Sequence, residues 1–291
     1  MCDCYTFEQV HLSHASKITS HHVDAAYIIH LKGNDTRLQN IHKQLESFYI
    51  CKTVYILHNE GLRCDKGITN CTPPLDLIDC YYTCFKDASE KKYENILILE
   101  DDFILADSIK TPTSTDKHMN TIMQYMKKYE QKPVSYRIGC LPLVLLPSSI
   151  DFQHYVGIMA GTHAVVYNKK FRIHLLEHTP QTTIKDWDVH CNLEADSFTY
   201  HTPLCYQLFP QTENSKYWGV EYHPFFAFLS QLALLLLSWV GLDKHYEPGF
   251  TVFYLFSKSI FALMLILVLL VICYLDGCFH TRIPKKQESK T

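Results

Sequence analysis

The stretch Asn95-Ile96-Leu97-Ile98-Leu99-Glu100-Asp101-Asp102 (NILILEDD) sets an unbroken apolar run directly before three adjacent carboxylates. A short run of branched aliphatic residues reads as a strand buried on both faces, the habit of a parallel sheet flanked by helices. The carboxylates then fall at the carboxyl end of that strand, where open α/β sheets bind their ligands. Alternation along an extended chain sends Glu100 and Asp102 to one side and Asp101 to the other.

The flanking sequence repeats the theme. Upstream, DAAYIIHLK (24–32) is a second buried strand. DTRLQNIHKQLESF (35–48) follows, with Leu38, Ile41, Leu45 and Phe48 at helical spacing behind the N-cap candidates Asn34 and Asp35. KTVYILHN (52–59) reads as a strand, and PLDLIDCYYTCFKDASEKK (74–92) as a helix opened by Pro74. Strand, helix, strand, helix, strand in succession predicts an α/β domain with a mostly parallel central sheet. Downstream come a helix at 116–131, strand-like runs at 136–146 and 156–167, a short helix at 169–178 and an acidic segment at 184–196. Residues 1–22 are polar and rich in His and Ser, and are expected to lack regular structure.

The chain has 291 residues, 47 % of them hydrophobic, and a formal charge of −3. That balance lacks the basic footprint of a nucleic-acid binder. The N-terminal segment shows no apolar h-region, so no leader is expected and the 12 cysteines are expected to be reduced. Cys80 and Cys84 are spaced CxxxC with no matching pair, which does not make a zinc site. Cys51, Cys140, Cys191 and Cys205 sit in apolar surroundings and read as core residues. The sequons at Asn34 and Asn70 matter only if the domain is luminal.

The C-terminal end differs in kind. SIFALMLILVLLVICYL (259–275) carries no charge, and the apolar residues from 251 onward extend it to membrane-spanning length. A second uncharged stretch occupies 225–242. Two topologies follow: a single-span tail anchor, or a hairpin in which both stretches cross. The tail residues Arg282, Lys285, Lys286 and Lys290 favour a cytosolic tail, and with a cytosolic domain that favours the hairpin. The expected organisation is a polar segment (1–22), a catalytic-type domain (23–220), a hydrophobic membrane region (221–276) and a basic tail (277–291).

Three like charges side by side repel one another, and a hard divalent cation removes that penalty. Glu100 and Asp102 are therefore candidate ligands for manganese or magnesium, completed by water and a substrate diphosphate. Ten glycines leave little room for a Gly-rich phosphate loop, which shifts the neutralisation of a diphosphate onto a metal. Asp186 and Asp188 flank Trp187 and are both candidates for a general base, Trp187 for stacking on a sugar ring. A helix start with acidic first-turn residues is the plainer reading of that pair.

Several of these pieces, in this order and spacing, resemble glycosyltransferase family 25. YIIHLKGNDTRLQNI (27–41), with Leu31, Lys32, Arg37 and Leu38, is similar to the family's opening motif. Leu99–Asp102 is similar to its Leu-Glu-Asp-Asp motif, and Gly161-Thr162-His163-Ala164 to its Gly-Thr-His-Ala-Tyr motif. Ile184–Asp188 and Gln211–Ser215 resemble its late segments. His30 stands where the family has Asn, and Val165 where it has an aromatic residue.

The resemblance implies a GT-A-like Rossmann-type domain and an inverting transfer from a nucleotide sugar, UDP-linked by expectation, to a hydroxyl on a protein or glycan. It also implies that Asp101, Lys32, Arg37 and His163 serve the donor diphosphate. A membrane-anchored transferase with a cytosolic catalytic domain suits a bacterium or a large DNA virus, on a host or viral membrane. Two other classes fit the same residues: a non-catalytic membrane or envelope protein on a degenerate transferase fold, and a nucleotidyl- or phosphoryl-transfer enzyme.

Overall fold

The computed structural model describes residues 4–19, 22–208 and 224–280. The Gln211–Ser215 segment and the tail cations Arg282, Lys285, Lys286 and Lys290 lie outside them. The strand–helix alternation forms where the apolar pattern puts it. The elements are β2 (Ala25–Leu31), α1 (Asp35–Leu45), β3 (Val54–Asn59), α2 (Pro73–Glu90) and β4 (Asn95–Glu100). Asn34 caps α1 by accepting from the Arg37 backbone N–H, and Pro73 occupies the first turn of α2. After the short β5 (Phe103–Leu105) come α3 (Pro112–Lys127), β6 (Val134–Pro147), β7 (His154–Asn168), α4 (Lys169–His178) and α5 (Trp187–Leu193). The domain closes with β8 (Asp196–Tyr200) and β9 (Cys205–Gln207).

The main sheet has seven strands in the order β1-β3-β2-β4-β7-β6-β8, where β1 is Tyr5–Val10. β2, β3, β4, β6 and β8 run in one direction, and β1 and β7 run against them. The result is a mixed α/β fold with a mostly parallel central sheet. From β2 the chain steps to β3 on one side and returns to β4 on the other, so the order reverses between β2 and β4. In such sheets the carboxyl ends of the strands that flank the reversal are the usual ligand position.

The pleat of β4 explains both cores. Leu97 and Leu99 face one layer with Ile41, Met119 and Ile122, whereas Ile96 and Ile98 face the other with Tyr81, Phe85 and Trp187. Each fully buried aliphatic side chain contributes roughly 1.5–3 kcal/mol, which fixes the register of the strand. Fixed register in turn fixes where the next three residues point.

Two expectations are corrected. Residues 1–22 are not uniformly irregular, because β1 pairs antiparallel with β3 along six residue pairs. Nor are all thiols free: Cys4 is bonded to Cys64, tying β1 to the loop after β3. Closing a loop with a sequence separation of 60 restricts the unfolded chain strongly. Cys64→Ser is expected to cost ~4 kcal/mol on that account, a fall of roughly 8–16 °C in Tm. Thermal unfolding of the variant beside the wild type checks it, and reductant should reproduce the drop.

At the C-terminal end, α6 (Pro224–Trp239) and α7 (Gly249–His280) follow the domain. Within α7, Gly249–Tyr274 is long and apolar enough to cross a membrane, with a mean hydropathy of 2.7 and 6 % of its most apolar stretch buried. α6 has 16 residues, and at 1.5 Å per residue it reaches ~24 Å, short of the ~30 Å hydrocarbon core. Among the described residues, α7 is the one helix long and apolar enough to cross a membrane. Part of this end packs on the domain instead: Leu237, Leu242, Phe250 and Tyr254 are buried with Cys140, Leu141, Leu145, Tyr155 and Met159 of β6 and β7.

Candidate functional site

At the end of β4 the three carboxylates separate as the pleat dictates. Asp101 continues the Leu99 side towards α1 and is 4 % exposed. It pairs with Arg37, lies 3.2 Å from His30 Nδ1 and accepts from the Leu31 backbone N–H at 3.3 Å. Its carboxylate thus joins the ends of β2 and β4 to α1. Arg37 reaches on to Asp102, 3.3 Å from Oδ2, so the cation does sit beside the acidic end.

Glu100 and Asp102 turn the other way and meet. The Gln207 amide donates to Asp102 Oδ1 at 2.9 Å and reaches Glu100 Oε2 at 3.5 Å. The Tyr81 hydroxyl lies 3.2 Å from Glu100 Oε1 and 2.9 Å from the Thr162 carbonyl. Burial, then the charges of Asp102 and Asp188, push the Glu100 carboxyl up to about 8. Burial also lifts Asp102 to about 6, although Arg37 pulls it down. Two carboxylates so perturbed at the carboxyl end of a strand mark a functional-site candidate.

Asp188 joins them from α5, in the layer that holds Tyr81 and Trp187. Its Oδ2 accepts from the Gly161 backbone N–H at 2.8 Å, and burial raises its carboxyl. Asp186 caps α5 through the Val189 N–H, the plainer role for an acid at a helix start. The two candidate bases are thereby told apart: helical geometry turns Asp188 to the carboxylate cluster and leaves Asp186 at the cap.

The other candidates lie elsewhere. Lys32 is 58 % exposed and pairs with Glu60. His163 is fully buried, its Nε2 3.4 Å from the Cys205 carbonyl oxygen, and burial lowers it to about 4. It is a buried, neutral side chain whose Nδ1 has no hydrogen-bond partner among the described residues. Trp187 is 6 % exposed and stacks on Tyr81 at 4.7 Å, so it belongs to the core and offers no face to a sugar. His190 stacks on Trp187 at 6.1 Å, away from the carboxylates.

Gln207 carries no signal in the sequence, because a lone glutamine in a short polar strand looks like any other. Its placement depends on Gly139 of β6. A Cβ there would collide with the Cys205 carbonyl oxygen and with His163 Nε2. Gly139→Ala is expected to cost ~2–3 kcal/mol by overpacking, readable in the denaturant midpoint.

The donor set suits a hard divalent cation in part. Glu100 and Asp102 supply two carboxylates whose mutual repulsion a cation would relieve. Among the described residues no group of three or more His, Cys, Asp or Glu side chains forms a closed metal cage. A cation held there would complete its shell from water and a substrate's phosphates, as magnesium and manganese do with nucleotides. No known family profile and no curated protein matches the chain.

Proposed function

We propose that the chain is a membrane-anchored glycosyltransferase of the GT-A kind, moving a sugar from a nucleotide-sugar donor to a hydroxyl on a protein or glycan. One observation carries the reading. Glu100 and Asp102 converge at the carboxyl end of β4, beside the strand-order reversal, with a third raised carboxylate, Asp188, close enough to act on Glu100. The ordered motifs at 27–41, 99–102 and 161–164 support it independently.

The roles follow from the chemistry. Glu100 and Asp102 would hold a divalent cation, which supplies neutralisation of the charge that grows on a departing diphosphate. Arg37 adds fixed positive charge at the same end of the sheet. Asp188 takes the proton from the acceptor hydroxyl. The freed oxygen bonds to the anomeric carbon, the carbon–phosphate oxygen bond breaks, and the nucleoside diphosphate leaves with the electron pair. Its raised proton affinity suits Asp188 to that task better than an ordinary solvated aspartate. Gly161 N–H orients the carboxylate, so substrate entry needs no rearrangement of the base.

Asp188→Asn keeps the shape and loses the base. Transfer is expected to fall ~10²–10⁴-fold while donor binding stays within a few fold. Steady-state kinetics on a UDP-sugar with manganese would show it, and wild-type turnover in the variant would exclude Asp188 from proton transfer. Nucleotide turnover with no dependence on the sugar would assign the site to phosphoryl or nucleotidyl transfer instead.

A further inference from the structure

Gln207 ends a short strand whose first residue, Cys205, is buried against β6. β9 has three residues and pairs only with the three residues of β5, outside the main sheet. So small a ribbon has no independent stability. Beside the Leu204 N–H bond to the Ile138 carbonyl, further support comes from the far end of the chain. The ring of Tyr206, next to Gln207, stacks on Tyr246 at 4.7 Å and meets Phe250 edge-on at 5.3 Å. Phe250 also packs edge-on against His163 at 6.0 Å, and His163 Nε2 in turn faces the Cys205 carbonyl oxygen at 3.4 Å. Tyr206 is thus held directly by the segment that opens α7, and the Cys205 carbonyl faces a β7 histidine that packs on the same segment.

That segment is itself firmly seated. Phe250 is fully buried and Tyr254 is 3 % exposed. The Tyr254 hydroxyl lies 3.4 Å from Cys140 Sγ and 3.3 Å from Thr199 Oγ1, tying the second turn of α7 to β6 and β8. One turn further, Lys258 donates to the His201 carbonyl. From Ala262 to Tyr274 the same helix is exposed on every side, with Leu263, Leu267 and Leu270 each about 62 % accessible or more. The helix that is long enough to enter a membrane therefore begins inside the domain, one aromatic layer away from the acidic site.

We propose that the base of α7 is a working part of that site: Tyr246 and Phe250, through Tyr206, are positioning residues that hold Gln207 against Glu100 and Asp102. Gln207 offsets the repulsion between the two carboxylates and sets their spacing. The apolar C-terminal helix is then a structural member of the site as well as an anchor, and a displacement of its first two turns is felt at the carboxylates. The cation readout below rests on the metal reading of the previous subsection; the hydrogen-exchange readout does not.

The test uses the full chain in detergent micelles, with manganese alone as the probe, titrated by electron paramagnetic resonance. Amide hydrogen exchange at β5 and β9 is measured on the same samples. Tyr206→Ala and Phe250→Ala are each expected to weaken manganese binding ~10-fold or more, the size of a lost charge-assisted hydrogen bond. Exchange at β5 and β9 should speed up in both. Tyr206→Phe, which keeps the ring, should restore both readouts to wild type. Leu145→Ala removes apolar bulk from the same buried cluster, further along β6 than the Gly139 that faces the Cys205 carbonyl. It should lower Tm and leave both readouts alone.

Wild-type manganese affinity and unchanged β9 protection in the two alanine variants would overturn the proposal. So would an equal loss of affinity in Leu145→Ala, which would mean general destabilisation. If the wild-type chain binds no manganese, the metal reading fails, and the exchange data alone decide whether the aromatic layer positions β9.

Discussion

Asp102→Ala is expected to abolish cation-dependent transfer, by ~10³-fold or more, while the domain stays folded. A metal that stabilises the departing diphosphate contributes several kcal/mol to the transition state, and each 1.36 kcal/mol is about a factor of ten in rate. Structure should survive because Asp102 holds little together. It is 18 % exposed, and its partners Arg37 and Gln207 have others: Arg37 keeps Asp101, and Gln207 keeps Glu100. Assay with and without manganese, together with circular dichroism, separates loss of chemistry from loss of fold. Undiminished turnover would remove Asp102 from the site.

The second large effect concerns Glu100 and has an unusual sign. Its carboxyl titrates at about 8 in the folded protein, against an ordinary value of 4.5. The folded chain therefore keeps a proton that the unfolded chain releases, and stability declines as pH rises through that window. Glu100→Gln cannot ionise and escapes the decline. In the absence of divalent cations the variant is expected to be more stable than wild type at pH 8 by ~4 kcal/mol, with the advantage fading towards pH 5. Saturating manganese with a nucleotide sugar should reverse the order, because only the wild type has both ligands. Thermal unfolding across pH in chelator, and again with cation and donor, checks both halves. A residue that destabilises the empty protein and is needed for the loaded one is the signature of a site kept for function.

Much of this was legible in the sequence for a physical reason. β2, β3 and β4 are buried on both faces, so their apolar runs are unbroken, and α1 and α2 carry helical spacing with good N-terminal signals. The turn of Glu100 and Asp102 away from Asp101 follows from alternation alone. β1 escaped notice because an edge strand with one wet face reads YTFEQV, half polar. β5 and β9, three residues each, are too short to leave a periodic trace.

The choice between Asp186 and Asp188 was invisible because it depends on a helix starting at Trp187 and on which of two acids caps it. Trp187 misled for a related reason: aromatic residues beside acids suggest sugar stacking, yet this ring fills the space between Tyr81 and Tyr167. The Cys4–Cys64 bond joins residues brought together only by the β1–β3 pairing, which no local pattern announces.

The central claim is that Glu100 and Asp102 bind a divalent cation together with a nucleotide sugar. Thermal shift of the full chain with UDP-sugars, with and without manganese, tests it most directly. At one hundred times the dissociation constant, bound ligand stabilises by ~2.7 kcal/mol, roughly 5–10 °C in Tm. The account predicts that shift only when cation and nucleotide sugar are both present, and its loss in Asp102→Ala. No manganese-dependent shift with any nucleotide sugar would contradict it.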